Sequence, residues 1–170
     1  VTILGTNDAP ETVNSIPAQN DQDASAISAL DITSFFSDTD TNDTLSYRAT
    51  NLPTGLTIDA TTGVITGIPD RSASQGGSNG VYTVTVTADD GNGGTVDQTF
   101  NWTITNPSST ATDDKGTTDE DSVLTQTVNG VLSNDSDPDG DPISVSQVNG
   151  DANNLSTAIA GDNGGQFTLN

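Results

Sequence analysis

Two stretches of the chain alternate apolar and polar residues almost without a slip. In residues 81–88, Tyr82, Val84 and Val86 alternate with Thr83, Thr85 and Thr87. In 95–105, Val96, Phe100, Trp102 and Ile104 alternate with Asp97, Thr99, Asn101, Thr103 and Thr105. A period of two places one side of a strand in a core and the other in water. The two are joined by DDGNGG at 89–94, whose glycines can take the positive φ angles of a tight turn, so they are predicted to form a hairpin. Shorter candidates precede them at 26–33, at 44–50 with Leu45, Tyr47 and Ala49 inward, at 55–60 and at 63–68; the last two flank a turn from Asp59 to Gly63. Nothing sustains a helical period. About seven strands with frequent turn signals predict a β-sandwich over 11–106.

After Thr105 the alternation breaks into a Pro-, Ser- and Thr-rich stretch, and 107–112 reads as a linker. Strand candidates from 113 to 170 are 122–128, a short one at 130–132, 142–148, 154–160 and 166–170, with Val123, Ile143, Val145, Ile159, Phe167 and Leu169 expected inward. That makes half a sandwich, near the lower size limit for independent folding. Residues 1–10 read as the end of a preceding repeat and its linker, and the chain stops in mid-alternation, so it is expected to be an excerpt of something longer.

Composition narrows the chemistry. The 170 residues hold 3 Lys+Arg against 24 Asp+Glu, a net charge of −21, and only Glu11 and Glu120 are glutamates. With no His and no Cys the chain cannot carry a Ser-His-Asp or Cys-His site, a thiolate zinc site or a disulfide. So negative a surface repels phosphate backbones and anionic lipid, so no nucleic acid and no membrane insertion are expected, and its apolar runs are too short to span a bilayer.

The acids are clustered. SDTDTNDTLSY at 37–47 aligns with SDPDGDPISV at 136–145 after one insertion, setting Asp38, Asp40 and Asp43 beside Asp137, Asp139 and Asp141. Each cluster precedes a strand, and the 99 residues from Asp38 to Asp137 match one sandwich domain, which suggests a tandem array. Two carboxylates about 4 Å apart repel by about 1 kcal/mol in water and about 4 kcal/mol at an effective dielectric of about 20, so alternating aspartates ask for a cation. Oxygen ligands on an irregular loop suit calcium better than octahedral magnesium. Turn propensity alone accounts for one such Asp, seldom four. NDSDPDGDP is no EF-hand, although Asp135, Asp137, Asp139 and Gly140 match loop positions 1, 3, 5 and 6, because Ser146 stands where the bidentate Glu should be and the flanks alternate like strands.

TNDAPE at 6–11, DTD at 38–40 and TADDGNGG at 87–94 resemble the calcium-site signatures of cadherin-like domains. The resemblance implies that Asn7, Asp8, Asp38, Asp40 and Asp89 share a junction site, with Glu11, Asp43 and Asp90 from the same motifs beside them. In a seven-stranded sandwich the second-to-third and sixth-to-seventh connections do lie at the end where the chain comes in. Residues 1–106, including LPTGLTIDATTGVITG, resemble dystroglycan-type cadherin-like modules, and 111–170 resemble the VCBS or cadherin-like repeats of bacterial RTX adhesins through DDKGTTDED and VLSNDSDPDGDPISV. For the second repeat this implies a metal set of Asp113, Asp114, Glu120, Asp135, Asp137, Asp139 and Asp141. The fold expected is all-β, tandem Ig-like/cadherin-like β-sandwich domains with the second one incomplete.

These observations lead to a non-enzymatic, calcium-binding segment of a secreted or bacterial cell-surface adhesin, in which calcium rigidifies the interdomain junctions of a filament. The alternative is a module that grips a glycan or protein ligand through its loops. Expected partners are neighbouring repeats of the same chain, strands that complement the second domain from later residues or another molecule, and a host-surface or glycan ligand. Asp89 and Asp90 are not read as a glycosidase pair, because no aromatic sugar platform accompanies them. Lys115 lacks the upstream glycines of a phosphate-binding loop.

Overall fold

The computed structural model describes residues 5–40, 42–119, 121–125, 130–160 and 166–169, except for the side chain of Phe167. The chain divides into two compact units, Val1–Pro107 and Ser108–Asn170.

The first unit is built from β1 (Glu11–Thr12), β2 (Gln19–Gln22), β3 (Leu30–Asp31), β4 (Phe36–Ser37), β5 (Ser46–Thr50), β6 (Leu56–Ile58), β7 (Val64–Gly67), β8 (Val81–Asp89) and β9 (Thr95–Thr105). One sheet has the order β2-β9-β8-β5 and the other β3-β7-β6, while β1 pairs with β4. The two alternating stretches form the predicted hairpin, with Val84 opposite Phe100 and Tyr82 opposite Trp102. Gly91 (φ 75°) and Gly93 (φ 109°) supply the left-handed turn residues. Inward residues of this hairpin meet Tyr47, Leu56, Ile65, Ile32, Phe36 and Ile16 in one core in which Trp102, Val84 and Ile65 are fully buried. Val96, Leu45 and Ala49 pack against it half-buried. Asp59 closes the β6–β7 turn by accepting from the amides of Thr61 and Thr62, which hold its carboxyl below the usual range, Thr62 contributing most.

Strand β2 was not expected, and it pairs in parallel with β9. Its half-buried positions are Gln19 and Asp21 rather than apolar residues, and the residue that follows the strand, Asp23, is buried. Asp21 Oδ2 accepts from Trp102 Nε1 at 2.9 Å. Asp23, 1% exposed, accepts from the Ser74 amide at 2.9 Å, on the peptide whose Ala73 carbonyl takes the Tyr82 hydroxyl at 2.6 Å. The expected strand at 26–33 shrinks to Leu30–Asp31, because Asp31 turns back to cap Thr33 and a 3₁₀ turn follows at Thr33–Phe35.

The second unit departs further from expectation. Among its described residues the strands are β10 (Ile159–Ala160) and β11 (Gln166–Phe167), paired antiparallel. Residues 122–125 form no strand, 126–128 lie outside the described residues, and Gly130–Leu132 is a 3₁₀ turn. Among the described residues the stretch 142–148 pairs only through the single bridge from Val148 to Asp151, and Ala152–Asn154 is another 3₁₀ turn. Val123, expected inward, is 90% exposed; Ile143, Val145, Ile159 and Leu169 are half-buried. With one Phe and no Trp or Tyr after residue 107, the alternation has little apolar surface to pack against among the described residues.

Candidate metal centre

Three segments meet at one end of the first sandwich: the lead-in residues 5–10, the β4–β5 connection 38–45 and the β8–β9 turn 90–94. The Asp8 amide donates to Asp40 Oδ2 at 2.8 Å, and Asn7 Nδ2 donates to Asp90 Oδ2 at 2.9 Å. The sequence resemblance implied this convergence, and the sandwich topology produces it.

Within the β4–β5 connection, Asp38 Oδ1 accepts from the Asp40 amide at 2.8 Å, and the Asp43 amide bonds to the Asp40 carbonyl at 3.0 Å. This curl brings one carboxylate oxygen each of Asp38, Asp40 and Asp43 within 4.8 Å of one another. All three are half-buried, and Asp38 Oδ2 and Asp43 Oδ2 are shielded from solvent without a hydrogen-bond partner. Carboxylate oxygens with neither water nor donor are costly unless a cation sits between them. The donor set, oxygen only and on an irregular loop, fits a hard divalent ion of the calcium type.

The other residues assigned to this junction behave differently. Asp90 is 4% exposed, and its oxygens accept from Asn7 Nδ2, the Asn92 amide and the Gly94 amide. These donors, Asn7 foremost, hold its carboxyl below the usual range. Asp89 is half-buried at the end of β8 and caps the Gly91 amide. Glu11 is exposed in β1, in register with Ser37. Sequence reasoning missed Gly94, which leaves room for Ala9 and the Asp90 carboxylate. Its only signal was a third glycine in a turn whose left-handed positions Gly91 and Gly93 already fill.

In the second unit the Thr112 amide donates to Asp135 Oδ1 at 2.8 Å, and Thr110 and Ser136 exchange backbone hydrogen bonds. Asp137 Oδ1 gathers the amides of Asp139 and Asp141 at 3.2 and 3.1 Å. Asp139, 4% exposed, has both carboxylate oxygens buried and unpartnered. The carboxyls of Asp137 and Asp139 face each other, which holds Asp137 low and pushes Asp139 up. Asp141 is half-buried, Asp113 and Asp114 are exposed, and Glu120 lies outside the described residues.

No helix among the described residues is long and apolar enough to cross a membrane. No curated protein matches the chain. Among solved structures it is similar to a "putative alpha-galactosidase" of Bacteroides fragilis (24% identity, 61% of this chain, 19% of that one, TM-score 0.43). It is also similar to Drosophila N-cadherin EC1-4 (15% identity, 59% and 25% covered, TM-score 0.44) and to human protocadherin-24 EC1-2 (16% identity, 60% and 45% covered, TM-score 0.42). The chain thus spans less than half the length of each of these three chains. Residues 105–170 match the family described as "Bacterial Ig domain". Residues 9–105, more than half the chain, match the one described as "Putative Ig domain", and the chain belongs to that family of Ig-like β-sandwiches.

Proposed function

We propose that the chain is a calcium-binding, non-enzymatic segment of an extracellular bacterial adhesin, in which a cation at Asp38, Asp40 and Asp43 fastens the lead-in segment to the sandwich. One observation carries this reading: converging carboxylates whose buried oxygens lack donors, beside a segment already bonded to one of them through Asp8. Membership of a bacterial Ig-like family supports an adhesion-type surface setting. Asp139, with Asp135, Asp137 and Asp141, is the corresponding candidate in the second unit. Calcium would supply charge neutralisation there; the chain supplies the loop geometry that collects the oxygens. Neighbouring repeats of the parent chain are the natural partners, with 11–106 and 113–170 as the repeating units.

Calorimetric titration and melting, in calcium and in chelator, test the reading. A ligand bound only by the folded state at a hundredfold excess over Kd adds about 2.7 kcal/mol. Millimolar calcium should therefore raise the melting temperature visibly, given dissociation constants of about 0.1 to 1 mM for extracellular modules. Asp40→Ala should weaken binding, whereas Asp97→Ala, exposed on β9, should leave it unchanged. Equal melting in calcium and chelator would end the hypothesis, and equal behaviour of the two variants would reduce it to diffuse charge.

A further inference from the structure

The lead-in segment is held in place by groups that need no cation. Asn7 Nδ2 is bonded to Asp90, and the Asp8 amide to Asp40. Beneath them Gly94 forms the floor: a Cβ there would lie 2.7 Å from Ala9 Cα and 2.2 Å from Asp90 Oδ2. Backbone that close cannot yield by turning a side chain, so any larger residue at 94 must lift Ala9 or push Asp90 off its donors. Pro10, next along, is buried. The two kinds of aspartate at this end also differ in kind. Asp90 takes its hydrogen bonds from an amide side chain and two backbone amides, whereas Asp38 and Asp43 each keep a buried oxygen with none.

We propose that Asn7, Asp90 and Gly94 form a latch that seats residues 7–10 over the Asp38–Asp40–Asp43 cluster before any cation arrives. Asp90 is then the clasp of the latch and not a ligand. The latch also sets cation affinity, because Asp40 belongs to both: its Oδ2 holds the Asp8 amide, so a docked segment fixes the position of a cluster carboxylate. Such coupling is reciprocal, so a cation at the cluster tightens the docked segment by the factor that docking lends the cation. The affinity half of the proposal rests on the cluster being a cation site. The docking half does not.

Hydrogen exchange at the Asp8 amide, measured on the whole chain in chelator, tests docking. Calorimetric calcium titration of the same samples tests the coupling. The Asp8 amide should be protected in chelator, and Gly94→Ala and Asn7→Ala should each reduce that protection about tenfold while 81–105 exchange as before. Both variants should bind calcium about fivefold more weakly. Should Gly94→Ala lower protection across 81–105 as well, Asn7→Ala, changed at an exposed position, decides alone. An Asp8 amide that exchanges freely in chelator, or that is equally protected in Asn7→Ala, overturns the latch. Protection as expected without any calcium binding upholds docking and overturns the cation reading of the cluster.

Discussion

Aspartate serves this chain in separate capacities, and the donors around each side chain tell them apart. Asp31 and Asp59 cap amides two or three residues ahead, which lowers their carboxyls while leaving them at the surface. Such caps are readable in sequence, because donor and acceptor are neighbours along it. Asp90 is harder: its leading donor, Asn7, stands 83 residues away. Asp23 is harder still, since its partner is the Ser74 amide 51 residues on. The acidic clusters themselves were legible from spacing, but which acids keep a free oxygen was not. Asp90 has a folded-state pKa below its unfolded value, so its contribution is present above about pH 4 and lost as pH falls through the depressed folded value. In chelator, acidification below about pH 4 should release the Asp8 amide to exchange before the core of the first unit opens; simultaneous loss would show that Asp90 carries no separate share.

At the level of elements, the long hairpin was legible because β8 and β9 each repeat the alternation over at least nine residues and are joined by a turn with its own glycine signal. The short strands were not. β1, β3 and β4 span two residues each, too few for a period to register, and their pairing follows from the neighbouring sheets. β2 was concealed by chemistry: QNDQ reads as a polar loop, and the indole of Trp102 makes Asp21 acceptable on the inner side. In the second unit the sequence misled in the opposite direction. Residues 142–148 alternate well, yet a strand needs a partner ladder as well as a pattern, and here the only described pairing is the bridge at Val148.

Taken whole, the two units are stabilised by different means. The first closes a core of fourteen buried apolar residues; in the second, the one buried residue among those described is Asp139, a carboxylate. With its described apolar residues at most half-buried, there is little to offset ordering entropy. Hydrogen exchange in chelator is therefore expected to be faster in 142–160 and 166–169 than in 81–105; equal protection would show that the second unit orders unaided. Strands contributed by later residues of a parent chain or by another molecule would add the missing burial. The parallel pairing of β2 with β9 bears on what happens under load. Tension entering ahead of β2 and leaving after β9 would draw two parallel neighbours in opposite directions along their length. The register from Gln19–Trp102 to Gln22–Thr105 and the bond from the Asp23 amide to the Thr105 carbonyl would then be sheared together instead of unzipped one by one. In a single-molecule pulling experiment, Asp21→Ala, which removes the Trp102 partner from that seam, should lower the rupture force of the first unit. An unchanged force would place the mechanical clamp elsewhere in the sandwich.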